Sequence, residues 1–414
     1  MPGSPRQRIV IGADTYPPDV NGAANFAHRL AIGLAGRGHD VHVICPSAGA
    51  GPERATVDGV TVHRLASHRT PFHPAFRISL PWQIRGSVTR LLDRVAPDVV
   101  HVQSHFAVGR TLTAAARRKS ISVVATNHFM PENLIGYTRI PDRIADAACR
   151  LAWSDFVRVF RRAQIVTAPT PRAVQLLHQH GLGSTARAVS CGLDLHRFTQ
   201  ATAKRGDEGL RVLFVGRLDA EKNVHELLRA LPLLPAELRV TAEIVGDGSC
   251  RRDLEALALE LGIADRVTFH GLVSDQAVLD AYVRCDVFCM PGTAELQSLV
   301  TMEAMAAGKP VVAADAMALP HLVHPGRNGL LFPPGDVPTL ASALGSVLGD
   351  TEARIRMGEA SREIVAHHDI GRTLDTFEDL YQEAAGHLRS TVAQRLPKAR
   401  ENREQHEYAA HSDR

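Results

Sequence analysis

The segment Glu295-Leu-Gln-Ser298-Leu-Val-Thr-Met-Glu303-Ala-Met-Ala-Ala-Gly308-Lys-Pro-Val-Val312 sets two carboxylates eight residues apart around a loop-to-helix junction, with a strand behind. Leu299, Val300, Met302 and Met305 recur at helical spacing, which predicts a helix starting near Ser298. Glu295 then falls in the loop ahead of the helix, and Glu303 one to two turns inside it. The first backbone N–H groups, at Ser298, Leu299 and Val300, have no intrahelical partner and point at whatever anion lies beyond the helix end. Carboxylates flanking such an anion site can accept hydrogen bonds from hydroxyl groups. Two solvated glutamates on a helix would give the same spacing, so the flanking sequence has to decide.

Upstream stands Val212-Leu-Phe-Val-Gly216-Arg217-Leu-Asp-Ala-Glu-Lys222-Asn, an apolar strand ending in a glycine turn that carries Arg and Lys five apart. In an open parallel sheet, ligands bind beyond the carboxyl ends of strands, where Arg217 and Lys222 can neutralise a diphosphate. Ile244-Val-Gly246-Asp-Gly248 and Pro320-His-Leu-Val-His-Pro-Gly326-Arg-Asn-Gly329-Leu-Leu-Phe332 follow in order. The combination suits a nucleotide sugar, with diphosphate at the helix end, ribose on one side and hexose on the other.

A chain of 414 residues exceeds the size at which a single core keeps growing, which predicts two domains. Short apolar runs at 9–12, 41–45, 60–64, 99–102, 123–126 and 165–168 alternate with helical patterns at 23–37, 81–95, 110–118, 142–162 and 171–179. After a turn-rich stretch the alternation resumes, with strands at 212–215, 239–245, 267–269, 287–290, 311–314 and 330–332. The expected fold is α/β, two Rossmann-like domains with parallel sheets facing across a cleft. The expected division is a first domain over 1–192, a linker over 193–209, a second domain over 210–370, a helix over 371–390 and a polar, disordered tail over 391–414.

Composition narrows the class. With 45% hydrophobic and 22% charged residues the chain reads as an ordinary globular protein, and it holds no apolar run of about 18 residues that could span a membrane. The amino terminus has no signal-peptide core and the six cysteines form no paired pattern, which points to reduced thiols in the cytoplasm. The net charge of +3 hides an asymmetry, since residues 1–200 hold 24 Lys/Arg against 12 Asp/Glu and the remainder 23 against 32. A basic first half makes an anionic membrane surface a candidate partner and the inner membrane face a candidate location. Aromatics at 5% that do not interleave with the basic residues argue against nucleic acid. No G-x-G-x-x-G is present, against a dinucleotide-binding domain. His101 and His105 straddle a strand end rather than sharing a helix face, and there is no Asp-x-Asp, so no metal site is expected.

From about Ile9 to Phe332 these motifs, in this order and spacing, resemble a family 4 glycosyltransferase of the GT-B superfamily. The resemblance implies a retaining transferase that moves a hexose, glucose or mannose, from a UDP- or GDP-sugar to a hydroxyl of a lipid, sugar or other small-molecule acceptor, without a cofactor. It implies that the last helix crosses back onto the first domain. Arg217 and Lys222, with Gly216 in the turn before them, match the positions that contact the donor pyrophosphate. Glu303 matches the glutamate that holds the ribose, and Glu295 the one facing the hexose. Gly22, with Ala23 where a second glycine is common, matches the loop that approaches the donor phosphate. His128, after the strand at 123–126, matches the histidine beside the transferred sugar, while Val273 and Asp275 fall where the family cradles the base. Gln297 and Thr301 match a variant of the glutamate segment found among enzymes acting on diacylglycerol lipids, which leans toward a lipid acceptor. The acceptor itself is expected to meet first-domain loops such as 129–143.

Two other readings fit parts of this pattern. A GT-B epimerase of UDP-sugars or a glycan phosphorylase would also bind phosphate at these positions. An inactive sugar-binding scaffold would not need Arg217, Lys222, Glu295 and Glu303 together.

Overall fold

A computed structural model describes residues 5–386 apart from 20, 50, 71–76, 132–141, 184–185 and 200–208. The βα alternation becomes two separate sheets. The first contains β1 (Arg8–Gly12), β2 (Asp40–Pro46), β3 (Glu53–Val57), β4 (Val60–Leu65), β5 (Val99–Val102), β6 (Ser122–Thr126), β7 (Ile165–Ala168) and β8 (Ala186–Ala188). Their spatial order is β8-β7-β6-β5-β1-β2-β4-β3, parallel throughout except for β3 on β4. The second sheet contains β9 (Leu210–Val215), β10 (Val240–Val245), β11 (Val267–Gly271), β12 (Val287–Met290), β13 (Val311–Ala314) and β14 (Gly329–Phe332), all parallel, in the order β11-β10-β9-β12-β13-β14. Every residue of β5, β6, β7, β12 and β13 is buried, as parallel strands covered by helices on both faces require.

Strand order reverses beside the first strand of each sheet, between β1 and β5 and between β9 and β12. Such switch points open a crevice at the carboxyl ends of the strands. The loops carrying Gly22, Gln103, Arg217 and Glu295 all leave from these ends.

The domains are joined twice, side by side. Leu193 N–H donates to His368 O (2.9 Å) and Ile370 N–H donates back to Leu193 O (3.0 Å). Beyond this double crossing a helix over 370–386 lies on the first domain. Leu374, Phe377, Tyr381 and Ala384 recur at helical spacing and enter one core with Ile9, Ile11, Phe26 and Leu30. Arg37 clamps the same helix through Asp375 (2.6 Å) and Glu378 (2.9 Å). Of the expected linker, 193–199 is described and holds the short helix His196–Thr199.

Several elements differ from the sequence expectation, among them the short β8, which lies beyond the last strand expected in the first half. β3 is an edge strand with no buried residue, so it has no apolar run to betray it. The helix expected from 110 starts at Ala107, where the half-buried Asp14 carboxylate accepts from Val108 N (2.9 Å) and Gly109 N (3.3 Å) at its first turn. A cap contributed from so far along the chain leaves no local signature.

Candidate active site

The expected helix runs from Leu299 to Ala306, with Ser298 as its N-cap in the left-handed region (φ 64°). Ser298 does not cap the helix with its side chain; its hydroxyl turns inward to Thr301 Oγ1 (2.8 Å). The first-turn amides are therefore left open toward the crevice. Leu299 and Val300 are half-buried at this end. Across the crevice the helix Gly22–Gly36 begins beside them, and a Cβ on Gly22 would sit 3.8 Å from Leu299 Cδ1. Here Asn21 Oδ1 does cap, accepting from Ala24 N (2.9 Å). Ala23, the departure from the family loop, is half-buried in this first turn.

The loop after β9 brings in the cations. It is locked by close backbone approach, since a Cβ on Gly246 would lie 1.9 Å from Gly216 O and one on Gly248 2.6 Å from the Leu218 backbone. Only glycine fits at these two positions. Arg217 follows the turn and is ion-paired to Asp219 (2.8 Å) and Glu221 (2.9 Å), while its side chain keeps 38% exposure. To meet a phosphate it must exchange a carboxylate for the ligand. Lys222 ends the turn Ala220–Lys222 and ion-pairs with the nearly buried Glu295. The Glu295 loop is itself pinned, with Ala318 N–H donating to Glu295 O (3.1 Å).

Glu303 lies one turn inside the helix, where Tyr282 Oη–H donates to its Oε2 (2.9 Å). Burial pushes its pKa up, opposed by the Tyr282 bond and by the charges of Arg29 and Arg197. Val273 is half-buried against the second-domain core. Asp275 begins the next helix, exposed and paired with Arg197 (3.5 Å), within electrostatic reach of Glu303.

The first domain offers a neutral set of groups. His128 Nε2–H donates to Gln103 Oε1 (2.7 Å), and Nδ1 faces the Cys191 thiol at 3.9 Å. Burial drives the imidazole pKa down to about 3, so the ring is neutral with Nδ1 left as acceptor. Behind it stand the buried His101, with Thr126 (2.6 Å) on one nitrogen and Tyr381 Oη (2.8 Å) on the other. Tyr381 belongs to the returning helix, so that helix helps to set the site. Thr170 Oγ–H donates to Leu296 O (2.9 Å), tying the domains directly at the glutamate segment.

Of the expected residues, the structure sets Gly22 beside Leu299 at the helix end, pairs Lys222 with Glu295 in the loop ahead of that helix, keeps Gly216 and Arg217 in the turn that carries Lys222, and places Glu303 one turn inside the helix. It sets His128 across the crevice, where Phe26 stands 4.8 Å from His128 and Gly22 heads the same helix. Gln103, Tyr282 and Cys191 were missed by the sequence reading. Gln103 stands one residue beyond the carboxyl end of β5, a position the strand-end rule marks, but its partner His128 is set only by the fold. Gln297 is held by hydrogen bonds across the chain crossing. Its Oε1 accepts from Cys191 N (2.8 Å) and its Nε2 donates to Ser190 Oγ (2.8 Å), so it fastens the interdomain crossing. Most of the acceptor loop, 132–141, lies outside the described residues.

Comparison with known proteins identifies the family. The model of Glycosyltransferase Family 4 matches residues 20–197, and that of Glycosyl transferases group 1 matches 198–364. The GDP-mannose-dependent alpha-mannosyltransferase of Mycolicibacterium smegmatis is 32% identical over 405 residues, covering 95% of this chain and 100% of the relative. That of Mycobacterium tuberculosis is 31% identical over 338 residues, covering 80% and 84%. Sucrose-phosphate synthase from Thermosynechococcus elongatus superposes with a TM-score of 0.76 at 20% identity, over 91% of this chain and 99% of that one, and shares its GT-B fold. The chain belongs to glycosyltransferase family 4.

Proposed function

We propose that this enzyme transfers mannose from GDP-mannose to a hydroxyl acceptor with retention of anomeric configuration. The observation that carries the reading is the helix end at Leu299, with its amides open, the Lys222–Glu295 pair on one side and Glu303 on the other. The relatives named above as GDP-mannose-dependent alpha-mannosyltransferases support the choice of base and sugar.

As the glycosidic bond breaks, negative charge grows on the leaving diphosphate. Arg217, Lys222 and the amides of Ser298, Leu299 and Val300 stabilise that charge more in the transition state than in the ground state. Positive charge comes from these groups, so the reading needs no metal. Glu295 faces the hexose and, by pairing with Lys222, sets the ammonium. Glu303 accepts from the ribose hydroxyls, and Gly22 and Ala23 close over the phosphate from the first domain. Val273 and Asp275 lie toward the base. His128, neutral and with only the weak Cys191 thiol contact on Nδ1, accepts from a hydroxyl of the transferred sugar in exchange for it. The acceptor hydroxyl attacks the face the diphosphate leaves; its oxygen bonds to the anomeric carbon, the diphosphate takes the bonding pair, and the hydroxyl proton passes to a phosphate oxygen.

A lipid acceptor at an anionic membrane is the favoured form. Trp82 is 74% exposed at the start of the helix Pro81–Val95, which also exposes Arg85, Arg90 and Arg94. An aromatic ring beside basic residues suits a lipid headgroup layer. The test is incubation with labelled GDP-mannose, then with UDP-glucose, each with anionic phospholipid vesicles and with soluble polyols. Labelled mannolipid with GDP release is the expected product. Release of hexose only when inorganic phosphate is added, or no turnover of either donor, would contradict the reading.

A further inference from the structure

The helix Gly22–Gly36 turns one stripe toward the second domain and the returning helix: Gly22, Phe26, Arg29 and Gly33. Gly22 meets Leu299, Phe26 lies 4.8 Å from the His128 ring, and a Cβ on Gly33 would meet Leu374 at 2.7 Å. Arg29 occupies the gap in this stripe. Its Nε and Nη2 are shielded from solvent and find no hydrogen-bond partner among the described residues. Glu303, Cys191 and Asp194 lie within electrostatic reach and favour its charge, while Arg197 opposes it. Native proteins rarely leave guanidinium donors buried and unmatched, and where they do, a ligand is the first explanation to test.

Glu303 is the natural counterpart. Tyr282 takes one of its oxygens, and the other charged groups facing it are Arg29 from the first domain, Arg197 from the interdomain segment and Asp275 from the neighbouring helix. We propose that Arg29 is a donor-site residue supplied by the first domain: it holds Glu303 as a charged acceptor for the ribose hydroxyls and offers its Nε–H and Nη2–H to oxygens of the same ribosyl-phosphate. The proposal rests on the nucleotide-sugar reading above. It assigns the second domain's ribose glutamate a partner from the opposite domain, so full donor affinity requires the two domains together.

Removing Arg29 has a directional consequence. Burial already pushes the Glu303 carboxyl upward, and without Arg29 one of the opposing charges is gone. The carboxyl then takes a proton at higher pH and loses acceptor capacity. Calorimetric titration of GDP and of UDP between pH 5.5 and 8.5, on the full chain and on Arg29→Met and Arg29→Lys, tests this. Arg29→Met should bind the nucleotide about tenfold more weakly at pH 7, with its acid-side loss displaced to higher pH, and Arg29→Lys should keep most of the affinity. Unchanged affinity and pH profile in Arg29→Met would overturn the proposal. So would a loss equal at all pH values and matched by a lower melting temperature without nucleotide, which marks a packing role. If the unmodified protein binds neither nucleotide, the nucleotide-sugar reading itself fails.

Discussion

The two walls of the crevice are built on opposite electrostatic plans. On the second-domain wall, Arg217 pairs with Asp219 and Glu221, and Lys222 pairs with Glu295 in the loop ahead of the Leu299 helix. On the first-domain wall, His101, Gln103, Thr126, His128 and Tyr381 form a network of neutral groups, with both histidines pushed down to about 3. Under the proposed function the charged wall exchanges partners as a phosphate arrives, because each cation already sits beside a competing carboxylate. The network around His128 has no charge to rearrange and fixes the orientation of its rings and hydroxyls, with Arg29 the charged exception on this side of the crevice. The helix ends repeat the contrast: Asn21 closes the first-domain helix with its side chain, whereas Ser298 leaves the second-domain helix open.

This contrast can be broken most forcefully at Lys222. Lys222→Ala should lower turnover about 10²–10³-fold while the protein still folds, its melting temperature lowered by the Glu295 carboxylate left without its cation. Near-normal transfer would remove the charged wall from the mechanism.

The neutral wall shows itself in acid. An unfolded histidine titrates near 6.5, whereas His101 and His128 in the fold titrate at about 3. Below pH 6.5 the unfolded chain gains protons that these folded rings refuse. Their stability contribution is therefore complete above 6.5 and is lost as pH falls toward 3, on the order of 1–2 kcal/mol per histidine at pH 5. Asp14 and Glu303, raised by burial, act in the opposite sense, so the comparison has to be differential. Urea midpoints at pH 7.5 and 5.5 should fall less for His101→Gln than for the parent. An equal fall would show that His101 is not held neutral.

A smaller effect belongs to Tyr381→Phe, which deletes one hydrogen bond to His101 and should cost about 1 kcal/mol, read from the urea midpoint. Nucleotide affinity should not change, since the charged wall is untouched. A large loss of affinity would mean that the walls are coupled more tightly than their separate networks suggest.

Much of this organisation was legible in the chain. Strands 99–102, 165–168, 287–290 and 311–314 were bounded as β5, β7, β12 and β13 are, because fully buried parallel strands write themselves as short apolar runs between turns. The cations and glutamates of the charged wall were legible for a related reason, since strand-end loops and a helix start expose them in sequence order. What was hidden depends on distant partners. Asp14 caps a helix far along the chain, Gln103 acquires meaning only beside His128, and Gln297 spends both ends of its amide on the interdomain crossing. Thr301 is likewise engaged at the helix cap with Ser298.

The most direct test of the charged wall as a donor site is thermal stabilisation of the parent protein and of Lys222→Ala by GDP, UDP, GDP-mannose and UDP-glucose, without added metal. A ligand at about 100 times its Kd stabilises by about 2.7 kcal/mol, which is a readily measured shift. The predicted result is stabilisation by GDP and GDP-mannose above that by the uridine compounds, abolished in Lys222→Ala. No shift with any of the four, or an equal shift in the variant, would contradict it.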